Sequence, residues 1–267
     1  MKVLAFIIKP FLNIVAWFLK LSRHNIYYLV SGPLRNEIQE VSFYVFAYQH
    51  IDAAISIAQS LNNVKGNTIL DVGGGQATTA EIFQKAYPNH KIYIFEPIQS
   101  NAQIIAKTAI QYSNWNLITK AAGSQIGTSQ INIAQRVTAS SLLELDTNIL
   151  GEGTYKDVLA FKNTEAISLT TLDSEISSDA IIDVLKMDVQ GYELEVLKGA
   201  SSTIARTKVI VFEVNNHQGF KNAPTYYNID SFLRLHNFVL YDMYPNHREN
   251  GKLMDWDSIY VNQKFLN

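Results

Sequence analysis

Asn67-Thr68-Ile69-Leu70-Asp71-Val72-Gly73-Gly74-Gly75-Gln76 is a short apolar run that stops near an acid and opens into three glycines. A short apolar run bounded by turn formers predicts a buried strand, here over 68–72. Residues 77–87 have helical periodicity and end before Pro88, which cannot continue a helix. Strand, glycine turn and helix in that order form the opening unit of an α/β sheet. Outward from it the grammar repeats, with strands over 91–96 and 115–120 enclosing a helix over 98–112. The stretch 123–173 is less regular. Residues 129–134 and 167–172 alternate as short strands, and 140–153 reads as a mobile polar excursion. Order returns with a strand over 181–187, a helix over 192–200, a strand over 208–214 and a helix over 225–236. Residues 238–243 and 258–261 close the sheet as a hairpin-like pair. Such alternation predicts a mostly parallel sheet with helices on both faces.

The chain has 267 residues, enough for one large core with an appendage. Hydrophobic residues make up 47% and charged residues 17%, a globular composition. Its net charge of −2 gives no basic excess, so a general nucleic-acid partner is not expected. The absence of cysteine removes disulfides, thiolate-bound zinc and a cysteine nucleophile together. The histidines show no H-E-x-x-H or other close ligand spacing, so no metal is expected.

Ligands of open α/β sheets bind beyond the carboxyl ends of the strands, near the point where strand order reverses. Glycines there let a ligand approach the backbone. The dinucleotide pattern G-x-G-x-x-G asks for glycine where this chain has Thr78, which weakens a pyrophosphate reading. Asp71 suits a cationic or hydroxyl-bearing ligand, or caps the following turn. Glu96, at the end of Tyr93-Ile94-Phe95-Glu96-Pro97, can accept hydrogen bonds from the two hydroxyls of a ribose. Lys186 falls inside the sheet and therefore needs a buried partner, or else faces the site.

These stretches resemble the FkbM-type family of S-adenosylmethionine-dependent methyltransferases. The likeness lies in Leu70-Asp71-Val72-Gly73, Phe95-Glu96-Pro97, Ala121-Ala122-Gly123-Ser124, Thr171-Leu172-Asp173, Lys186-Met187-Asp188-Val189-Gln190-Gly191-Tyr192-Glu193 and Phe212-Glu213-Val214, spanning roughly 65 to 262. It implies a Rossmann-like class I methyltransferase fold with a mostly parallel seven-stranded sheet. It also implies S-adenosyl-L-methionine as cofactor and methyl transfer to a hydroxyl oxygen of a sugar, glycan or related metabolite. On the same grounds Asp71, Gly73, Gly75 and Gln76 would form the cofactor loop, Glu96 would hold the ribose and Asp188 would border the methyl donor. Asp188 could then orient or deprotonate an acceptor hydroxyl, or cap the helix that begins near Gln190. Glu213 and His217 are further candidates for the base. Two departures stand out: the family commonly has G-A-N where this chain has Gly74-Gly75-Gln76, and Glu where it has Gln190. The second leaves room for a catalytically idle cofactor-binding scaffold. A dinucleotide-dependent oxidoreductase is the less favoured alternative.

Ahead of the domain expected over 65–267 lie an apolar amino-terminal segment over 1–30 and a helical cap over 31–64. In the first segment Lys2, Lys9, Asn13 and Lys20 fall within roughly 40° of one another on a helical wheel. The rest is apolar and aromatic, interrupted too often to span a bilayer. That pattern suits a helix lying in a membrane interface, or one docked on the protein's own core or a second subunit. The expected location is the cytoplasm, with peripheral contact at the inner membrane face as the alternative this segment opens.

Overall fold

The computed structural model of the chain describes residues 48–61, 63–146, 159–216, 219–249 and 251–266. The chain divides into two units, Met1–Asp52 and Ala53–Asn267. Of the first unit, residues 48–52 are described, where helix α1 (Gln49–Ser60) begins. The amphipathic segment over 1–30, most of the helical cap over 31–64, and His217 lie outside the described residues.

The strands are β1 (Thr68–Val72), β2 (Lys91–Phe95), β3 (Trp115–Ile118), β4 (Ala121–Ala122), β5 (Gly127–Ala134), β6 (Phe161–Thr170), β7 (Ile182–Met187), β8 (Thr207–Asn215), β9 (Phe238–Glu249) and β10 (Lys252–Asn262). Seven of them form one sheet in the order β3-β2-β1-β7-β8-β10-β9. The pairs among β1, β2, β3, β7 and β8 are parallel, and β10 runs antiparallel to both β8 and β9. This is the Rossmann-like class I methyltransferase arrangement. Every residue of β1 and β7 is buried, as expected of central parallel strands covered on both faces. Helices α2 (Thr78–Ala86) and α3 (Gln99–Ala109) connect strands that step one way from β1. Helices α5 (Glu193–Lys198) and α6 (Ser201–Ile204) connect strands that step the other way. Right-handed crossovers therefore send the two sets to opposite faces.

Between β3 and β7 the chain builds a second sheet, β4-β6-β5. Ile131, Ile133, Ile167 and Leu169 of that sheet pack with Ile98 and Ala121 in a small core of their own. The remaining helices are the short α4 (Leu172–Glu175) and α7 (Tyr226–Leu235).

Several expectations need correction. The strand expected to reach residue 120 ends at Ile118, and the chain re-enters sheet structure as β4. The helix expected over 192–200 is α5 and ends at Lys198, and a further short helix, α6, follows beyond the expected span. A side chain at Gly199 would bring its Cβ to 1.9 Å from the Gly123 carbonyl oxygen, so the chain passes that point without one. The terminal hairpin is far longer than expected, because Asp255 and Asp257 continue the ladder ahead of Ser258 although they are polar. The polar excursion expected from residue 140 is pinned at its start. Ser141 exchanges backbone hydrogen bonds with Asn132, and both Ser140 and Ser141 are buried.

Candidate functional site

The parallel register fixes where the site can form. Val72 pairs with Phe95 on one side and with Met187 on the other. The next residue or so along each strand, Gly73, Glu96 and Asp188, therefore emerges at one end of the sheet. Strand order reverses at β1, which makes this the ligand-binding edge of an open α/β sheet. A cleft of about 680 Å³, solvent mouth included, opens there. Gly73, Gly75, Glu96, Asn101, Asp188 and Tyr192 are among its lining residues. The side sheet supplies an apolar wall through Ile131, Val137 and Leu142.

The glycine loop is shaped by contacts that exclude side chains. Gly73 has φ +81°, and a Cβ there would lie 2.0 Å from the Asp188 carbonyl oxygen. The Asp188 N–H in turn donates to Val72 O at 3.0 Å, so strand ends β1 and β7 touch. Gly75 also has a positive φ, +54°, but an added Cβ would meet nothing within 4 Å. Its surroundings are open, and its N–H donates to Glu96 Oε2 at 2.8 Å.

Glu96 is thereby held on both sides, since Oε1 accepts from the Ile98 N–H at 2.9 Å. Burial pushes its carboxyl up to about 7 against the pull of these hydrogen bonds and of Asn101. Its two oxygens carry about four acceptor sites between them, more than the Gly75, Ile98 and Asn101 donors use.

Beneath the loop lies a buried ion pair. Asp71 and Lys186 are register partners on β1 and β7, and Lys186 Nζ sits 3.0 Å from Asp71 Oδ1. The same Nζ donates to Gly73 O at 2.7 Å, tying the loop to the sheet. Burial opposes the lysine's charge, but Asp71, Asp188 and Glu96 outweigh it and hold its pKa above the usual value. Asp71 is fully buried and its pKa is raised, with desolvation ahead of the opposing lysine. The contact is a charge pair rather than an aligned hydrogen bond, and neither Asp71 oxygen takes such a bond from the described residues.

Asp188 lines the cleft and is joined to an acid on the next strand. Gln190 Nε2 donates to Asp188 Oδ1 at 2.8 Å and to Glu213 Oε2 at 3.0 Å. Glu213 keeps a small opening to solvent but is densely surrounded. Burial and the charges of Asp188, Asp257 and Asp255 hold its pKa well above the carboxylate range. Asp257 is its register partner on β10, accepts from Asn246 Nδ2 at 2.8 Å and is itself pushed up to about 7 by burial. Among the described residues no group of acids and histidines is arranged to hold a metal ion.

Of the residues singled out in the sequence, Gly73, Gly75, Glu96 and Asp188 line the cleft. Asp71 lies beneath it, Gln76 is exposed in the turn, and Glu213 stands behind Gln190; none of these three is a lining residue. The expectation that Asp188 caps a helix is not met. Helix α5 starts five residues later, after a turn in which Gln190 and Gly191 have φ +52° and +96°. Glu193 serves that turn instead, accepting from the Val189 and Gly191 N–H groups at 3.3 and 3.2 Å. Asn101 and the wall from the side sheet were missed. The one signal for Asn101 was a polar residue on the buried face of a helix, and the wall follows from tertiary packing alone.

The geometry thus combines a glycine loop, a strand-end acid after β2 and a strand-end acid after β7 at one switch point. Residues 64–240 match the methyltransferase FkbM domain, two thirds of the chain. The chain belongs to the FkbM methyltransferase family. This methyltransferase therefore uses S-adenosylmethionine. No curated protein sequence matches it. Among solved structures it resembles the magnesium protoporphyrin IX methyltransferase ChlM from Synechocystis PCC 6803 with bound SAM. The identity is 10%, with 97% of each chain covered and a TM-score of 0.47. It also resembles the 1,6-didemethyltoxoflavin-N1-methyltransferase of Burkholderia thailandensis, at 11% identity, 87% and 91% coverage and a TM-score of 0.41. A third is TrmK of M. capricolum with S-adenosyl-homocysteine, at 10% identity, 79% and 68% coverage and a TM-score of 0.41. The fold assignment rests on the strand order and the family match, not on these likenesses.

Proposed function

We propose that this methyltransferase modifies a hydroxyl oxygen of a sugar, glycan or related metabolite, and that Asp188 acts on the acceptor hydroxyl. The observation that carries this reading is Asp188 on the wall of the cofactor cleft, beside Gly73 and in one lining with Glu96.

The residues fit the cofactor. The loop is open at Gly75, Glu96 has lone pairs to offer to ribose hydroxyls, and both residues line one cleft. S-adenosylmethionine supplies a methyl group on a sulfonium, an excellent leaving group for in-line displacement. The protein's share is alignment, exclusion of water and custody of one proton. Gly73 and Gly75 bring bare backbone to the ligand, Glu96 accepts from the ribose, and the wall of Ile131, Val137 and Leu142 keeps one side dry. Asp188 accepts the acceptor's hydroxyl hydrogen bond, which orients the oxygen, and takes its proton as the oxygen–carbon bond forms. Alignment supplies most of the acceleration, and a general base contributes about 10²–10⁴-fold.

Methyl-labelled S-adenosylmethionine supplied with cell extract tests this. The wild type is expected to place label on oxygen of a carbohydrate-bearing fraction. Asp188→Asn should lower transfer by about 10²–10⁴-fold while cofactor affinity changes little. Label on nitrogen or carbon, or full activity of Asp188→Asn, would overturn the reading. No transfer by the wild type to any fraction would favour an idle cofactor-binding scaffold.

A further inference from the structure

Gln190 stands where the family commonly carries an acid, and its surroundings give that exchange a physical meaning. We propose that Gln190 is a positioning residue whose amide holds Asp188 and Glu213 together and so sets the carboxylate that meets the acceptor. This rests on the role proposed for Asp188.

A primary amide has two N–H hydrogens, and here both are used: one on Asp188 Oδ1 at 2.8 Å, the other on Glu213 Oε2 at 3.0 Å. Asp188 Oδ1 and Glu213 Oε2 both accept here, and the nitrogen rather than the oxygen of the amide is assigned to that side. With Oδ1 occupied, Oδ2 is the Asp188 oxygen left to meet a hydroxyl. An ionised glutamate at position 190 has no hydrogen to give either partner. It would also add a negative charge beside Asp188 and Glu213, with Asp257 paired across the sheet from Glu213.

The amide does not hang from a loose loop. Gln190 has φ +52°, and its carbonyl accepts from Ser141 Oγ at 2.7 Å. Ser141 is itself buried and bonded to Asn132 of the side sheet through its backbone in both directions, at 2.9 and 3.1 Å. The clamp is thus braced from β5 on one side and from β8, through Glu213, on the other. The crowding of acids around Glu213 raises its pKa, and the Gln190 hydrogen bond works against that rise. Glu213 therefore acts through Gln190, since it does not itself line the cleft.

The test uses the full-length protein and has two readouts. Carboxyl carbon NMR of 13C-labelled glutamate follows the titration of Glu213 without needing an acceptor. Gln190→Leu removes both hydrogen bonds and should raise the Glu213 midpoint by about one pH unit. Labelled methyl transfer into cell extract should fall about tenfold, with the cofactor Kd within about twofold of wild type. Gln190→Glu keeps the shape of the side chain and serves if the leucine variant does not fold. Its transfer should be lowest at high pH and recover as pH falls, because a protonated glutamate regains one hydrogen to donate. Wild-type titration of Glu213 in Gln190→Leu, or a wild-type pH profile of transfer in Gln190→Glu, would overturn the clamp. Absence of transfer by the wild type would count against the proposed function, while the carboxyl titration would still decide the clamp.

Discussion

Glu96 holds its proton to about pH 7 because burial outweighs the Gly75 and Ile98 hydrogen bonds. A ribose hydroxyl donates to a carboxylate and gains little from a carboxylic acid, so in the role proposed for Glu96 the cofactor selects the ionised form. Binding must then release a proton, and affinity must rise as pH rises through 7. Titration calorimetry should show the Kd for S-adenosylmethionine falling up to about tenfold between about pH 6 and about pH 8. Glu96→Gln should bind more weakly and lose the dependence; a flat wild-type profile would remove Glu96 from the ribose. At this scale the sequence was most informative where sterics are local. Gly73 is required because a Cβ would strike the Asp188 carbonyl, and a glycine after a strand-end acid announces such a turn. It was least informative at Gln190. In the sequence the missing acid reads as a loss, and in the structure its amide satisfies two carboxylates from strands β7 and β8. Nothing local distinguishes those outcomes, because Glu213 is remote in sequence.

Helix α7 shows an element whose limits are legible. Thr225 accepts from the Asn228 N–H while the Asn228 side chain accepts from the Thr225 N–H, a reciprocal cap. Thr225→Ala should cost about 1 kcal/mol. In thermal unfolding that is a fall of roughly 2–4 °C, with cofactor affinity unchanged. The end of helix α5 shows the opposite case: the need for glycine at 199 comes from the Gly123 backbone, far away in sequence. The long strands β9 and β10 were under-read for a related reason. Alternation was the only available signal, and residues such as Asp257 pair inside the sheet for reasons that lie on β8. Among the described residues no helix is long and apolar enough to cross a membrane. For the segment over 1–30 we propose residence in a membrane interface, since its lysines share one face of an otherwise apolar stretch. Full-length protein should float with anionic liposomes, whereas a variant beginning at Ser31 should not; equal flotation of both would refute it.

For the whole molecule, the buried acids set how stability depends on pH. Glu96, Glu193 and Asp257 each titrate near 7 in the fold, against about 4 in an unfolded chain. The folded state holds these protons more tightly, so their contribution is complete below about pH 4 and is lost as pH rises through 7. Asp173, Glu175 and Asp230 are shifted downward by their hydrogen bonds and lose their contribution only at lower pH. Calorimetry of the cofactor-free protein should therefore show a Tm that climbs as pH is lowered from about 8 to about 5. A Tm that falls over that window would contradict the burial of these acids. The sequence by itself determined the alternation of strands and helices, the glycine turn and the cofactor class. The first two are consequences of backbone sterics and short-range periodicity, written residue by residue, and the third came through the family resemblance. Only the tertiary structure decided which acids face the cleft, which lie beneath it and which are joined by an amide. Strand order and register bring β1, β2, β7 and β8 to one edge, and no local stretch of chain encodes that convergence.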